Sequence, residues 1–195
     1  MNVAEPVSAL FPGASGRIVT ALARHRRTGG AHLTLAELAR SSSVVASQLE
    51  AVLFRLGLLG LLEPRARGED IRIATGHLVW EALDGLLDLG PALRERVRVR
   101  ALRDLDPAPR YLGISGAVAD GTATGPSDTL HLTVTAPASV PDGWVGDLEE
   151  LVRGLASDLG NIVTYDVTHD VPHDGPDGPD AERAPGTVTV LDAER

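Results

Sequence analysis

The sequence predicts an α+β protein built from two modules. Apolar residues recur at helical spacing through most of the first half, whereas the second half contains short runs that alternate between apolar and polar residues, as half-buried strands do. Charge divides the same way. Residues 1–105 hold 14 arginines and 11 acidic residues, while residues 106–195 hold four arginines and 16 acidic residues. Opposite charge balances in the two halves of one chain are typical of separate modules.

The composition excludes several classes of protein. With 195 residues, 43% of them apolar, the chain is long enough to bury a sizeable core. It contains no cysteine, which rules out disulfides, thiolate metal sites and cysteine nucleophiles. The first residues lack the positive start and apolar run of a signal peptide, and the longest apolar stretch, residues 49–62, is too short to span a bilayer. We therefore expect a soluble, cytoplasmic protein with no membrane partner.

Three helices are predicted within residues 15–60. The first covers residues 15–26 and ends before two consecutive glycines, which favour a helix C-terminus. The second opens at Thr34 with Glu37 three residues later, the spacing of a capping box, and extends to about Arg40. A turn of three serines leads to the third helix, whose apolar residues form one stripe: Val45, Leu49, Val52, Leu53 and Leu56.

Residues 61–73 predict two short β segments around a polar tip that contains glycine. Ile71 and Ile73 alternate with Arg72 in the second segment. Two short helices joined by a tight turn and followed by a hairpin is the element order of a winged helix-turn-helix domain, which we expect within residues 1–90. One more amphipathic helix, residues 77–89, is predicted to close it.

Residues 91–170 are expected to form a small α/β domain. Pro91 can start a helix, although the alternating arginines that follow it are equally compatible with a strand. Strands are predicted at residues 110–114, 130–135 and 162–167, with an amphipathic helix at residues 141–160. The acidic tail at residues 171–195 is rich in Pro and Gly and is expected to be largely disordered. Its last run, residues 187–191, either pairs with the sheet or stays loose.

The predicted helix-turn-helix supplies candidate DNA contacts. The second helix of such a motif enters the major groove, and side chains of its N-terminal turns read base edges. The expected base and backbone contacts on this helix are Ser47, Gln48, Ala51 and Arg55. Arg65, Arg67 and Arg72 are expected to reach phosphates or the minor groove from the hairpin. The alternative is a protein-binding role, because the helix also carries Glu50, and Phe54 stands where a cation would help.

Several motifs carry a resemblance to a known arrangement. They are the run at residues 10–19, the helix at residues 33–40, the Gly76-His77 step, and the pattern of residues 110–167. Together they resemble an ArsR/MarR-type winged helix-turn-helix regulator fused to a minimal nucleotidyltransferase domain. In that superfamily a Gly-Ser turn cradles nucleotide phosphate, a Ser-Asp-x-Asp strand supplies two metal-binding carboxylates, and a later strand adds a third. Two-metal phosphoryl transfer needs these carboxylates.

This chain departs from that pattern at several positions. Gly116 and Asp128 match, and Asp166 takes the third carboxylate position. Ala117 replaces the serine of the turn, Asp120 replaces the usual arginine, and the second carboxylate position holds Leu130 or His131. His is a poor Mg²⁺ ligand. The resemblance therefore implies degenerate nucleotide and metal positions, no catalytic residue, no metal and no cofactor.

The function expected from these features is transcriptional regulation through double-stranded DNA. A homodimer is expected because one recognition helix reads only a few base pairs. The nucleotidyltransferase-like half would then be catalytically inactive and serve dimerisation, sensing of an unknown effector, or placement of the DNA-binding half. Two alternatives stay open: an active nucleotidyltransferase that uses an NTP, and a protein-interaction module whose acidic half occupies a basic surface.

Overall fold

The computed structural model describes residues 2–169 and 186–192 and has an α+β fold. Within these residues, seven helices and two sheets are present. The chain forms two compact units, one of residues 5–88 and one that combines residues 2–4 with the chain from Leu89 onward. The unit boundary therefore falls two residues before the predicted one, and the extreme N-terminal segment packs with the second unit. Most of the predicted disordered tail, residues 171–185 and 193–195, lies outside the described residues.

The first unit contains five helices and a small sheet. The elements are α1 (Pro6–Leu10), α2 (Ala14–Arg27), β1 (His32–Leu33), α3 (Leu35–Ser42), α4 (Ala46–Leu58), β2 (Ile71–Arg72) and α5 (Val79–Leu87). β1 pairs antiparallel with β2, and Leu62 forms an isolated bridge with Ile73. Of the two predicted β segments, only residues 71–72 form a strand in the described part of the chain, and its strand partner is β1. The other segment, residues 61–62, joins it through the Leu62–Ile73 bridge alone. β1 and α1 were not predicted, since a two-residue strand and a five-residue helix leave little periodicity to detect.

The predicted capping box at the start of α3 is confirmed. The Glu37 amide donates to Thr34 Oγ1 at 3.2 Å, while the Thr34 amide donates to the Glu37 carboxylate at 2.7 Å. These bonds with Thr34 hold the pKa of Glu37 below its ordinary value. Ser43 then adopts the left-handed conformation, with φ of 53°, and ends α3. Because the chain changes direction at Ser43, only three residues, 43–45, lie between α3 and α4.

The second unit is a four-stranded mixed sheet with two helices. Its elements are α6 (Leu89–Asp104), β3 (Tyr111–Ser115), β4 (Thr129–Ala136), α7 (Trp144–Leu159), β5 (Ile162–His169) and β6 (Val188–Asp192). The strand order is β5-β4-β3-β6; β3 runs antiparallel to β4 and β6, and β4 runs parallel to β5. The last run of the tail therefore pairs with the sheet. The arginine-rich segment is a helix, because its buried residues recur every four positions: Leu93, Val97 and Ala101.

The core of the second unit lies on one face of the sheet. The alternate residues of β4 that point to this face are fully buried and pack with the apolar stripes of α6 and α7: Leu130, Leu132, Val134 and Ala136. The intervening residues of β4 stay partly exposed or exposed. The sheet therefore has one face covered by helices and one polar face.

The structure corrects the interpretation of the charge division. Residues 5–88 contain nine arginines and nine acidic residues, so the first unit is neutral with histidine uncharged. The basic excess of the first 105 residues comes from α6, which holds five arginines and two acidic residues. Because α6 packs on the sheet of the second unit, this excess does not belong to the predicted DNA-binding half.

Candidate functional site

One candidate site is the exposed side of α4. The helix turns its apolar stripe into the core, with Leu49 fully buried and Val52, Leu53 and Leu56 at most 8% exposed. Val45, predicted as part of this stripe, is exposed at the N-cap. The four predicted contact residues lie on the opposite side and are all exposed: Ser47, Gln48, Ala51 and Arg55. The helical period places these positions on adjoining turns. The structure thus brings together the hydroxyl, amide and guanidinium groups that the sequence selected on this helix.

Arg65 has a different role from the one predicted. Its guanidinium donates to the Glu50 carboxylate at 2.6 Å and to the Glu69 carbonyl at 2.8 Å, and its side chain is 11% exposed. The other Glu50 oxygen accepts from the Gly68 amide at 3.1 Å. Arg65 therefore fastens the 63–70 loop to α4. Its donors face these internal acceptors, so phosphate contact by Arg65 is not supported.

The other two arginines of the hairpin remain at the surface. Arg67 is exposed, with no hydrogen bond or ion pair to the described part of the chain. The Arg72 guanidinium lies 3.9 Å from the Glu63 carboxylate, and the Arg72 side chain is 63% exposed. An exposed pair at that separation contributes little to stability, so Arg72 is not held away from an external ligand.

An apolar cleft adjoins the same surface. It occupies about 500 Å³ between the C-terminal half of α4 and the 63–70 loop. Phe54 and Leu58 line it and are 69% and 72% exposed, and Leu59 next to them is 65% exposed. Large apolar side chains clustered at a surface are typical of contacts with other proteins. Sequence reasoning noted Phe54 but missed the cleft, because only the fold brings the loop over this helix.

A second cluster lies on the polar face of the sheet in the second unit. His131 on β4 is paired in register with Thr164 on β5, and its Nδ1 lies 2.9 Å from Thr164 Oγ1. Its Nε2 lies 3.3 Å from a carboxylate oxygen of Asp166, which is 81% exposed. Leu130 points to the opposite, buried face. Of the two residues proposed for the second carboxylate position, His131 is therefore the one beside Asp166.

Gly116 and Asp128 shape the turns at the start of this face. Gly116 has φ of +93°, and a Cβ there would lie 2.8 Å from the Thr129 carbonyl oxygen, so the close approach requires glycine. The Ala117 carbonyl accepts from the Thr122 and Ala123 amides. The Asp128 carboxylate accepts from the Thr124 amide at 2.7 Å and the Gly125 amide at 3.0 Å, and these bonds lower its pKa. Asp128 thus closes a turn of its own loop.

Buried Asn161 fixes the same loop from the other side. Its amide donates to the carbonyls of Gly125 at 2.8 Å and Asp128 at 3.2 Å. The sequence alone does not single out this residue, since nothing local indicates its distant partners. In the described residues, no three His, Asp or Glu side chains come close enough to hold a metal ion together.

Two more findings concern membrane-spanning helices and similarity to known proteins. Across residues 2–169 and 186–192, none of the helices has the length and apolar character needed to cross a membrane. Comparison with known proteins found no matching family model, no similar curated protein and no similar solved structure.

Proposed function

We propose that this protein is a cytoplasmic DNA-binding regulator whose first unit is a winged helix-turn-helix domain. The observation that carries the proposal is the division of α4 into a buried apolar stripe and an exposed side bearing Ser47, Gln48, Ala51 and Arg55. The order α2, β1, α3, α4 and β2 supports it, with β1 and β2 paired and α3 and α4 joined by a tight turn. α4 is the recognition helix, and the 63–70 loop is the wing.

The neutral charge of the first unit sets the kind of binding we expect. Phosphate neutralisation by Lys and Arg supplies most sequence-independent affinity for DNA. With nine arginines balanced by nine acidic residues, and Arg65 occupied by Glu50, this unit offers few such contacts. Binding should therefore depend on a specific site and on two copies acting together, which doubles the base readout. A homodimer is part of the proposal for this reason.

The second unit serves this regulator without catalysing nucleotidyl transfer. Its order β3, turn, β4, α7, β5, with β3 and β4 antiparallel and β4 and β5 parallel, supports the nucleotidyltransferase-like arrangement. The chemistry does not follow, because the position beside Asp166 is His131. Two-metal catalysis needs a carboxylate at the position that His131 occupies. The roles we propose for this unit are dimerisation, sensing of an effector, or placement of the DNA-binding unit.

A protein-contact role for the same surface is the second candidate. The specific observation in its favour is the apolar cleft beside α4, with Phe54 and Leu58 largely exposed. Such side chains gain little from a phosphate backbone but bury well against an apolar partner. Under this hypothesis a partner protein, and not DNA, would lie next to the side of α4 that bears Gln48.

Selection from a random double-stranded DNA library with the full chain distinguishes the two candidates. Enrichment of one motif at moderate salt, lost in Gln48→Ala and kept in the control variant Arg153→Ala at an exposed position of the second unit, supports DNA binding. Failure to enrich any motif contradicts it. In that case, Phe54→Ser disrupting a co-purified complex while Gln48→Ala leaves it intact would support the protein-contact role.

A further inference from the structure

A polar cleft in the first unit is not used by the proposed DNA-binding surface. It occupies about 560 Å³ among α1, α2 and α3. Six hydroxyl-bearing residues line it: Ser8, Thr20, Thr28, Ser41, Ser42 and Ser43. Arg17, Arg24 and His25 contribute positive or ionisable groups, and Glu5 and Glu37 contribute carboxylates. We name it the α2–α3 cleft.

Thr20 carries an observation that points to a ligand. The residue is 7% exposed, and its Oγ1 has no hydrogen-bond partner within the described part of the chain. A helical threonine ordinarily satisfies this hydroxyl with the carbonyl one turn back. Leaving a buried hydroxyl unpaired costs free energy. Thr20 is among the residues that line the cleft, where an occupant would supply the missing partner.

Two arginines flank Thr20 on the same side of α2. Arg17 and Arg24 lie three residues before and four residues after Thr20, so the helical period stacks all three along the cleft. Neither guanidinium has a hydrogen bond or ion pair in the described residues, unlike Arg26, which pairs with Asp84. Guanidinium groups bind phosphate through paired N–H donors. An arginine pair around an unsatisfied hydroxyl is therefore suited to a phosphate group.

The other residues that line the cleft limit the chemical class of ligand that fits it. The Glu37 carboxylate is already committed to the capping box. Ser41 and Ser42 donate to the Leu38 carbonyl, and their hydroxyl oxygens can accept from a hydroxyl of the ligand. The described residues that line the cleft include no Phe, Tyr or Trp, so they offer a nucleobase no ring to stack on. We infer that the α2–α3 cleft binds a small phosphorylated polyol of the sugar-phosphate class, with Arg17, Thr20 and Arg24 holding the phosphate.

Calorimetric titration of the full chain with glucose 6-phosphate tests this inference without DNA. Binding weakened about tenfold or more in Thr20→Val and in Arg24→Ala, and unchanged in Arg27→Ala, supports it. Arg27 lies on α2 outside the cleft and forms an exposed pair with Asp88. Arg27→Ala therefore removes the same positive charge from the same helix as Arg24→Ala does, without changing the cleft lining. Unlabelled glucose is the ligand control and should not bind.

Thr20→Val also separates a ligand site from a structural role. Valine keeps the shape of threonine and removes the unsatisfied hydroxyl, so resistance to urea should stay the same or rise while ligand affinity falls. The inference is overturned when glucose 6-phosphate fails to bind the parent chain at millimolar concentration. It is equally overturned when Thr20→Val and Arg24→Ala bind as the parent does. Because no DNA is present, either result leaves the proposed DNA binding to its own test.

Discussion

The Glu50 carboxylate in the middle of α4 accepts a 2.6 Å hydrogen bond from the Arg65 guanidinium at the base of the wing. One ion pair thus joins the helix proposed to read bases to the loop proposed to approach the backbone. Both side chains are largely covered, at 24% and 11% exposed. Breaking such a pair leaves a poorly solvated charge behind, so the positions of helix and loop depend on each other.

Arg65→Ala is expected to destabilise the first unit. Loss of the bonds to Glu50 and the Glu69 carbonyl should lower the free energy of unfolding by roughly 1–3 kcal/mol, measured by urea denaturation. Arg67→Ala is the matched control, because Arg67 is exposed on the same loop, and its effect should stay within about 0.5 kcal/mol. Equal losses in the two variants would contradict the fastening role of Arg65.

The remaining surface arginines are expected to change DNA affinity without changing sequence preference. Arg67→Ala should weaken binding to specific and unrelated duplexes alike and reduce the slope of log affinity against log salt by about 1, since one phosphate contact is lost. Gln48→Ala should instead relax the preference at one position of the motif. Fluorescence anisotropy over a salt series measures both effects. A change of motif in Arg67→Ala would show that this side chain reads bases.

Gly116→Ala is expected to cost more stability than Gly121→Ala. Both glycines have positive φ, +93° and +74°, which costs a non-glycine residue roughly 1–2 kcal/mol. Only Gly116 would also place its Cβ 2.8 Å from the Thr129 carbonyl oxygen, whereas Gly121 has open space. The difference in the free energy of unfolding between the two variants therefore reports the clash alone. Equal values would mean that the β4 backbone can move away.

Acid should destabilise the second unit through Asp128. Backbone bonds from Thr124 and Gly125 lower the pKa of this carboxyl in the folded state, so its contribution is present above the unfolded pKa of about 4 and is lost as the pH falls through the lower folded pKa. In Asp128→Asn this part of the pH dependence should disappear. Urea denaturation over roughly pH 2 to 6, a range that includes the unfolded pKa of about 4, measures this pH dependence. Asp142→Asn, at an exposed position, should retain the parent pH dependence.

The same carboxylate decides the test of catalysis. Incubation of the full chain with labelled nucleoside triphosphates and Mg²⁺ or Mn²⁺ should yield no transferred label, because His131 stands beside Asp166 where a second carboxylate is needed. Label transfer that Asp128→Ala abolishes would overturn the proposal that the second unit is inactive. Transfer that survives Asp128→Ala would point to a contaminating activity.

Local patterns were sufficient for most elements of the fold. The capping box at Thr34, the apolar stripes of α4 and α7, and the alternation in β4 each rest on neighbours a few residues apart, which is the range over which periodicity acts. They identify helices and strands and the side of each that is buried. The exposed side of α4, with Gln48 and Arg55, follows from the same periodicity, so that part of the candidate site was predictable.

Only the tertiary structure decided the partners of individual side chains. The sequence predicts that Arg65 reaches phosphates or the minor groove, but the fold brings the Glu50 carboxylate, 15 residues earlier, to 2.6 Å from its guanidinium. It also placed Asp166 of β5 3.3 Å from the His131 ring nitrogen of β4, and paired β6 with β3. The division of charge between the modules changed in the same way, since α6 belongs to the second unit and leaves the first unit neutral. The physical reason is common to all four: periodicity determines which side of an element is buried, whereas contacts between distant residues depend on how the elements pack.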